Sequence, residues 1–300
     1  MRAEKDFLVV ADAGGTKTQW WVWNPSMEEA LLFEGDGINA TVSAEEDILA
    51  SVSYFRSSLR NASVLPADGR IDVHFYGAGC NSESACAKLD KSFKAVFGEV
   101  LGKCHYASDL LGAARALFGL EEGIACILGT GSASCLYAEG DIVDSIPSLG
   151  FVLGDEGSGA RLGCQLLNMY FKRELSPELA HSLEAFTDMR LPAVLEEVYR
   201  RPGANRKLAS LVPFIKRNEN LPQISALIDS NLKLFFSKNV SKYKVFPSRT
   251  IRFAGGVASI FKDRLVEMAS EYGLKADRFA DRPVEALGEY HKNIYLHERL

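Results

Sequence analysis

Phe7-Leu8-Val9-Val10-Ala11-Asp12-Ala13-Gly14-Gly15-Thr16-Lys17-Thr18-Gln19-Trp20-Trp21-Val22-Trp23 decides the fold class. An apolar run over 7–11 reads as a strand, and the alternation after Lys17 reads as its return partner. In that return strand Trp21 and Trp23 point to one face, Trp20 and Val22 to the other. Between them Ala13-Gly14-Gly15-Thr16 forms a tight loop. Two glycines let backbone N–H groups turn toward one point without obstruction, and such a concavity accepts anions, phosphate above all. A plain hairpin turn would explain this loop equally well taken alone.

The same arrangement recurs about one domain length later. Residues 124–128 read as a strand, Gly129-Thr130-Gly131-Ser132 as a loop, and 134–138 as a return strand. The repeat implies two related α/β halves. Neither loop is a Walker A sequence or a GxGxxG fingerprint, which disfavours the P-loop and dinucleotide-binding folds. Two opposed glycine hairpins suggest a nucleotide clamped between domains.

Further elements fill the frame. A strand is expected near 28–33. Ser43-Ala44-Glu45-Glu46 fits a capping box, ahead of a helical stripe of Ile48, Val52, Phe55 and Leu59. Strands follow at 71–76 and 104–107, separated by a helix over 83–97. From 156 to 236 the pattern is helical, in pieces at 156–175, 176–186, 192–199, 207–218 and 223–236. A late strand, 250–254, meets Gly255-Gly256 and a helix carrying Ile260, Phe261, Leu265, Met268 and Tyr272. Pro283 opens a last helix.

Composition narrows the class. In 300 residues, 47% are hydrophobic and 24% charged, with a net charge of −5. These are values of a globular protein with a sizeable core. No basic run marks a nucleic-acid or anionic-membrane surface, so neither partner is expected. The charged start Met1–Asp6 and the short apolar run after it suit neither a signal peptide nor a membrane span. The six cysteines form no CxxC pair and read as reduced, buried thiols. The expected location is the cytoplasm, and a homodimer stays open.

Several residues are suited to chemistry. Asp12, at a strand end, can hold Mg²⁺ through water, since that ion keeps most of its waters. Thr16 or Lys17 can reach a phosphate. Asp109, at a helix start after a strand, reads either as a capping carboxylate or as a general base for a hydroxyl. Gly255-Gly256, between a strand and a helix, lets a flat ring or a phosphate approach the backbone. Gly154-Asp155-Glu156-Gly157-Ser158-Gly159 is an acidic, glycine-rich loop that reads either as a capped turn or as a set of hydrogen-bond acceptors for sugar hydroxyls beside Gly150.

Together these motifs resemble the N-acetylglucosamine kinase family of the sugar kinase/actin/heat-shock-chaperone superfamily, over nearly the whole chain. Asp12–Thr18 resembles the family's first phosphate motif, Gly129–Ser132 its second, and Gly255-Gly256-Val257-Ala258 its adenosine motif. Leu149–Ser158 resembles the block around Gly-Asp-Glu-Gly-Ser, the most specific of the set. The resemblance implies two actin-like (ribonuclease H-like) domains with an interdomain ATP cleft. The expected domains are 1–112, joined by the C-terminal helix 283–300, and 113–282 with a helical insertion.

It further implies ATP-dependent phosphorylation of an amino sugar at its 6-hydroxyl, with ATP and Mg²⁺. By that resemblance Asp109 is the catalytic base. Gly14, Gly15, Thr16, Lys17, Thr130, Gly131, Gly255 and Gly256 bind ATP. Asn39, Ser132, Gly150 and Asp155 bind substrate, and Asp12 holds the metal. One position departs: the family carries a sugar-contacting Asn directly after the second loop, where this chain has Ala133. That change bears on the choice of sugar. Two alternatives share the fold, a sugar and nucleotide sensor without kinase activity and an activator-type ATPase of 2-hydroxyacyl-CoA dehydratases.

Overall fold

The protein is described by a computed structural model covering residues 6–65, 69–243 and 248–297. Met1–Lys5 and the last three positions of the expected C-terminal helix lie outside the described residues. The chain divides into two compact units, 1–119 with 282–300, and 120–281. The boundary leaves the whole of the helix that starts at Asp109 in unit 1.

Unit 1 carries β1 (Phe7–Ala13), β2 (Lys17–Trp23), β3 (Leu31–Asp36), α1 (Glu45–Asn61), β4 (Ile71–Gly77), α2 (Glu83–Phe97), β5 (Leu101–Ser108) and α3 (Asp109–Phe118). Its sheet order is β3-β2-β1-β4-β5, antiparallel through the hairpins and parallel from β1 to β4 to β5. The tryptophan alternation sets the layers. Trp20 and Val22 join the core formed with α1 and α2, while Trp21 and Trp23 join a second core on the opposite face. Trp20 stacks on Phe55 of α1 at 4.0 Å between ring centres.

The capping box at Ser43 does not form. Ala44 is the N-cap of α1 and has no side-chain bond. Ser43 Oγ instead accepts the N–H of Asn39 at 3.2 Å, a local loop closure that competes with capping. The third strand begins at Leu31 rather than near Glu28.

Unit 2 repeats the sheet with β6 (Gly123–Leu128), β7 (Ser132–Ala138), β8 (Asp141–Ile146), β9 (Thr250–Ala254) and β10 (Lys275–Ala280), in the order β10-β9-β6-β7-β8. Read from the hairpin edge, pairing directions match those of unit 1 strand for strand. β10 was not expected. It is an edge strand whose Lys275, Asp277 and Arg278 are exposed, so charge hides its pattern. Its Phe279 stacks on Phe253.

The helices of unit 2 are α4 (Gly150–Leu153), α5 (Gly159–Phe171), α6 (Pro177–Phe186), α7 (Leu191–Tyr199), α8 (Ala204–Ala209), α9 (Val212–Arg217), α10 (Pro222–Lys238), α11 (Gly256–Ile260) and α12 (Lys262–Glu271). Two expected helices are each broken in two. Pro213 cannot donate to residue 209, which separates α8 from α9. Phe261, at φ −110° and ψ 30°, separates α11 from α12. The expected helix from 156 starts only at Gly159, because Asp155 and Gly157 hold positive φ in a turn.

The last helix, α13 (Pro283–His297), belongs to unit 1 and covers the Trp21 face. A Cβ on Gly288 would lie 2.2 Å from the Trp21 ring, so glycine lets the indole rest on the helix backbone. Arg115 Nη1 donates to the Tyr76 hydroxyl at 2.7 Å, and that hydroxyl bonds His291 Nε2 at 2.7 Å. His74 stacks between His105 and His291. Burial, with the neighbouring histidines adding to it, pushes His74 down to about 4 and His291 down to about 2. Both rings are therefore neutral at pH 7.

Candidate active site

In unit 1 the site is built at the carboxyl ends of parallel strands, where open α/β sheets place ligands. Asp12 lies opposite Tyr76 in the β1–β4 register, and Gly77 lies opposite Ser108 in the β4–β5 register. The residue after Ser108 is Asp109. Of the two readings of Asp109, the N-cap position itself falls to the preceding residue. Ser108 is the N-cap of α3, its Oγ accepting the Leu111 N–H, while an Asp109 oxygen accepts the adjacent Leu110 N–H at 2.9 Å.

Asp12 senses the charge of Asp109. Burial first, and then the Asp109 charge, push Asp12 up to about 7, with Lys17 pulling the other way. Burial also raises Asp109. Both residues keep partial solvent contact, yet enough protein surrounds them to disfavour two negative charges together. Such a pair of hard oxygen donors fits a hydrated Mg²⁺, whose charge would offset both.

The first loop closes with Gly14 N–H on the Lys17 carbonyl at 3.0 Å. Gly15, Thr16 and Lys17 are exposed, and Lys17 Nζ lies 3.7 Å from Glu34. Neither Gly14 nor Gly15 has a positive φ, and a Cβ on Gly15 would meet nothing within 4 Å. The fold itself does not demand glycine there. Gly37, which sequence reading passed over, is demanded: its Cβ would lie 2.6 Å from Gly15 and Thr16 backbone.

Asn39 is tied to this end of the sheet through a ladder, Ala78 N–H to the Ala13 carbonyl and Ala40 N–H to the Ala78 carbonyl. Its Oδ1 accepts the N–H groups of Thr41 and Val42. That leaves the amide Nδ2 as the part able to meet a ligand.

In unit 2 the loop Gly129–Ser132 is fixed from beneath. Gly129 N–H bonds the Gly131 carbonyl, and the first amides of α5, Gly159 and Ala160, bond the carbonyls of Gly129 and Thr130. Buried Asp155 comes to the same loop. Its Oδ1 accepts the Ser132 N–H at 3.4 Å, and a Cβ on Gly131 would lie 3.1 Å from its Oδ2. Burial raises Asp155, the Ser132 N–H lowers it, and Glu156 raises it again.

The turn that holds Asp155 is pinned by Asn231, fully buried in α10. It accepts from Gly157 N–H and donates to the Ser158 carbonyl. An amide on the apolar stripe Ile224-Leu227-Ile228-Asn231-Phe235 was the available signal for this role. Gly255, at φ 103°, lies flat on the end of β6, where a Cβ would be 2.6 Å from the Leu128 carbonyl. Gly256 is exposed with open space above it. Gly150 is exposed at the start of α4, its carbonyl accepting the Gly154 N–H at 2.8 Å.

The six cysteines are free. Burial pushes Cys80 and Cys135 up to about 12. Among the described residues, no group of three or more His, Cys, Asp or Glu side chains is placed to hold a metal ion. No helix among them is long and apolar enough to cross a membrane.

Two five-stranded sheets of matching topology, each ending in a glycine loop, define the actin-like two-domain sugar kinase fold. Solved structures agree. A candidate N-acetylglucosamine kinase from Porphyromonas gingivalis superposes with a TM-score of 0.86, at 31% identity, over 96% of this chain and 99% of its own. A candidate N-acetylglucosamine kinase from Chromobacterium violaceum shares the fold with a TM-score of 0.73, at 20% identity over 95% and 98% of the two chains. A ROK hexokinase from Thermus thermophilus shares it with a TM-score of 0.54, at 17% identity over 96% and 99%. No family profile and no curated protein matches the sequence. The chain belongs to the N-acetylglucosamine kinase family.

Proposed function

We propose that this protein transfers the γ-phosphoryl group of ATP to the 6-hydroxyl of an N-acetylated hexosamine, N-acetylglucosamine first among them, in the cytoplasm. The observation that carries the reading is the carboxylate pair Asp12 and Asp109, half-buried, at the strand ends of unit 1. One oxygen of Asp109 accepts the Leu110 N–H. Asp109 leaves the capping of its helix to Ser108 and keeps a raised affinity for a proton.

Asp109 takes the proton of the attacking hydroxyl as that oxygen bonds to the γ-phosphorus, and ADP leaves as its bridging oxygen departs. Such a base contributes about 10²–10⁴-fold in rate. Asp12 would hold Mg²⁺ through water. The metal supplies charge neutralisation of the β- and γ-phosphates when bound. The N–H groups of Gly15, Thr16, Thr130 and Gly131 take no protein partner among the described residues. They are the groups suited to phosphate oxygens. Gly255 and Gly256 give the flat surface that a nucleotide base and ribose need, and Asn39, Ser132, Gly150 and Asp155 would meet the sugar.

The test is formation of ADP from MgATP with N-acetylglucosamine, N-acetylmannosamine, N-acetylmuramic acid, glucosamine and glucose, with phosphorus NMR to locate the new ester. Sugar-dependent ADP and a 6-phosphate are expected with an N-acetylated sugar. Absence of sugar-dependent ADP across the panel, from protein that binds ATP, would overturn the reading.

A further inference from the structure

Asp109 is the first residue of α3, and its carboxylate bonds the adjacent N–H of the same helix. Whatever fixes the height and rotation of α3 therefore fixes Asp109. Ala11 and Ala13 face the core under α1 and α2, so Asp12 points to the opposite face of the sheet, the one that α3 and α13 cover. Tyr76, the register partner of Asp12 on β4, points to that same face and is buried. One turn along α3 from Asp109, on the same side of the helix, stands Gly112. A Cβ there would lie 2.7 Å from the Tyr76 Cβ, so the helix backbone rests directly on that side chain. Any larger residue at 112 would lift α3 off the sheet.

The Tyr76 hydroxyl adds a second restraint. Arg115, a further turn along α3, donates from Nη1 to this oxygen at 2.7 Å. On the other side the oxygen lies 2.7 Å from His291 Nε2 of α13. A phenol has one proton to give. With Arg115 donating to the oxygen, that proton goes to His291 Nε2, and the imidazole carries its own proton on Nδ1. Burial, then the charges of His74 and Arg115, keep His291 neutral and so able to accept. The chain from Arg115 through Tyr76 to His291 joins α3, β4 and α13 at one oxygen. One partner would satisfy a buried phenol; this one has two, on the two helices that cover its face.

We infer that Gly112 and Tyr76 are positioning residues for phosphoryl transfer: Gly112 sets the height of α3 over β4, the Tyr76 hydroxyl sets its rotation, and together they hold Asp109 at the Asp12 end of the sheet. The inference rests on the kinase reading, in which Asp109 is the base, and deepens it. It also gives α13 a part in the reaction, since His291 is the acceptor that orients the Tyr76 hydroxyl. None of these side chains touches substrate. They act through the placement of Asp109, so their loss should slow the transfer step and leave substrate binding in place.

The test measures kcat per ATP site in the full-length protein with MgATP and N-acetylglucosamine, the sites being counted by calorimetry. Tyr76→Phe removes the hydroxyl and keeps the ring. It lowers kcat per site about fivefold, the scale of one net hydrogen bond, with KM for both substrates within about twofold. His291→Leu gives a similar loss. His291→Gln, whose amide oxygen accepts from Tyr76, recovers most of it. Gly112→Ala lifts α3 and lowers kcat per site about tenfold or more, since a misplacement of about 1 Å costs up to about 10²-fold. A fall in the number of ATP sites with kcat per site unmoved makes these residues merely structural and overturns the inference. So does a loss that appears in KM alone, or a His291→Gln variant no faster than His291→Leu. In each of those cases the kinase reading stands. Absence of sugar-dependent ADP from the unaltered, ATP-binding protein across the sugar panel removes the kinase reading and the inference together.

Discussion

The two sheets have the same strand order and the same pairing directions, yet they carry different chemistry at their ends. In unit 1, β1 ends in Asp12 and the residue after β5 is Asp109. In unit 2 the matching strand β6 ends in Leu128, and the one carboxylate at its loop, Asp155, arrives from a turn outside the sheet. A repeated scaffold therefore fixes where loops stand, and single residues at strand ends decide what each loop does. The asymmetry predicts that acid–base work resides in unit 1. Asp109→Asn should cut sugar-dependent ADP formation by 10²-fold or more, about the full contribution of a general base. ATP affinity, measured by calorimetry, should stay within a factor of about three. Asp155→Asn should mainly raise the sugar KM. Equal loss of kcat in both variants would break the distinction.

The glycines sharpen the same contrast. Gly255 is held at φ 103° against the Leu128 carbonyl, whereas Gly15 has open space above it and an ordinary φ. Gly255→Ala should displace the end of β6 and cost about 1–3 kcal/mol in a denaturant titration, the scale of strain at such a conformation. Gly15→Ala should leave stability within about 0.5 kcal/mol, as an unhindered surface substitution does, and weaken ATP binding. Matching stability losses in the two variants would show that both glycines serve the fold.

The third effect is set by pH. Asp12 is raised to about 7 from an ordinary value of 3.8, by burial and by Asp109. Between those values the folded protein holds a proton that the unfolded chain has released. Stability therefore falls as pH rises from about 4 to 7, and the cost is complete above 7. Asp12→Asn removes that cost. At pH 7.5, without Mg²⁺, it should stabilise by about 2 kcal/mol, about half the full displacement at 1.4 kcal/mol per pH unit, since Asp12 keeps some solvent contact. At pH 4 the gain should vanish. His74 and His291 act in the opposite sense, since their lowered values take stability away as pH falls below 6.5. Only the difference between variant and unaltered protein isolates Asp12. A variant no more stable at pH 7.5 than at pH 4 would dismiss the strained pair.

Much of this was legible in the sequence, for identifiable reasons. Trp20 to Trp23 alternate so plainly that both faces of β2 could be assigned before the cores were seen. β10 escaped because an edge strand tolerates charge on its exposed positions, and Lys275, Asp277 and Arg278 leave too little alternation to read. The acidic turn before Ser158 was legible as a motif but not as a structure. Its shape depends on Asn231, 73 residues from Ser158 in sequence, whose amide satisfies both sides of the turn.

Ser43 gives the smallest effect and the clearest case of a local rule overridden. Its spacing to Glu46 is that of a capping box, for which loss of the serine costs about 1 kcal/mol of helix stability. The hydroxyl goes instead to the N–H of Asn39, while the Ser43 N–H bonds the Asn39 carbonyl at 2.9 Å. These two bonds close the loop whose other end is tied through Ala40 and Ala78 to the end of β1. Ser43→Ala should therefore change stability by less than about 1 kcal/mol, and Glu46→Ala by nothing measurable, since no box links the two. The serine variant should instead raise the sugar KM a few-fold by loosening Asn39. A helix-stability loss in both variants, with KM unmoved, would restore the capping box and take Asn39 out of the substrate site.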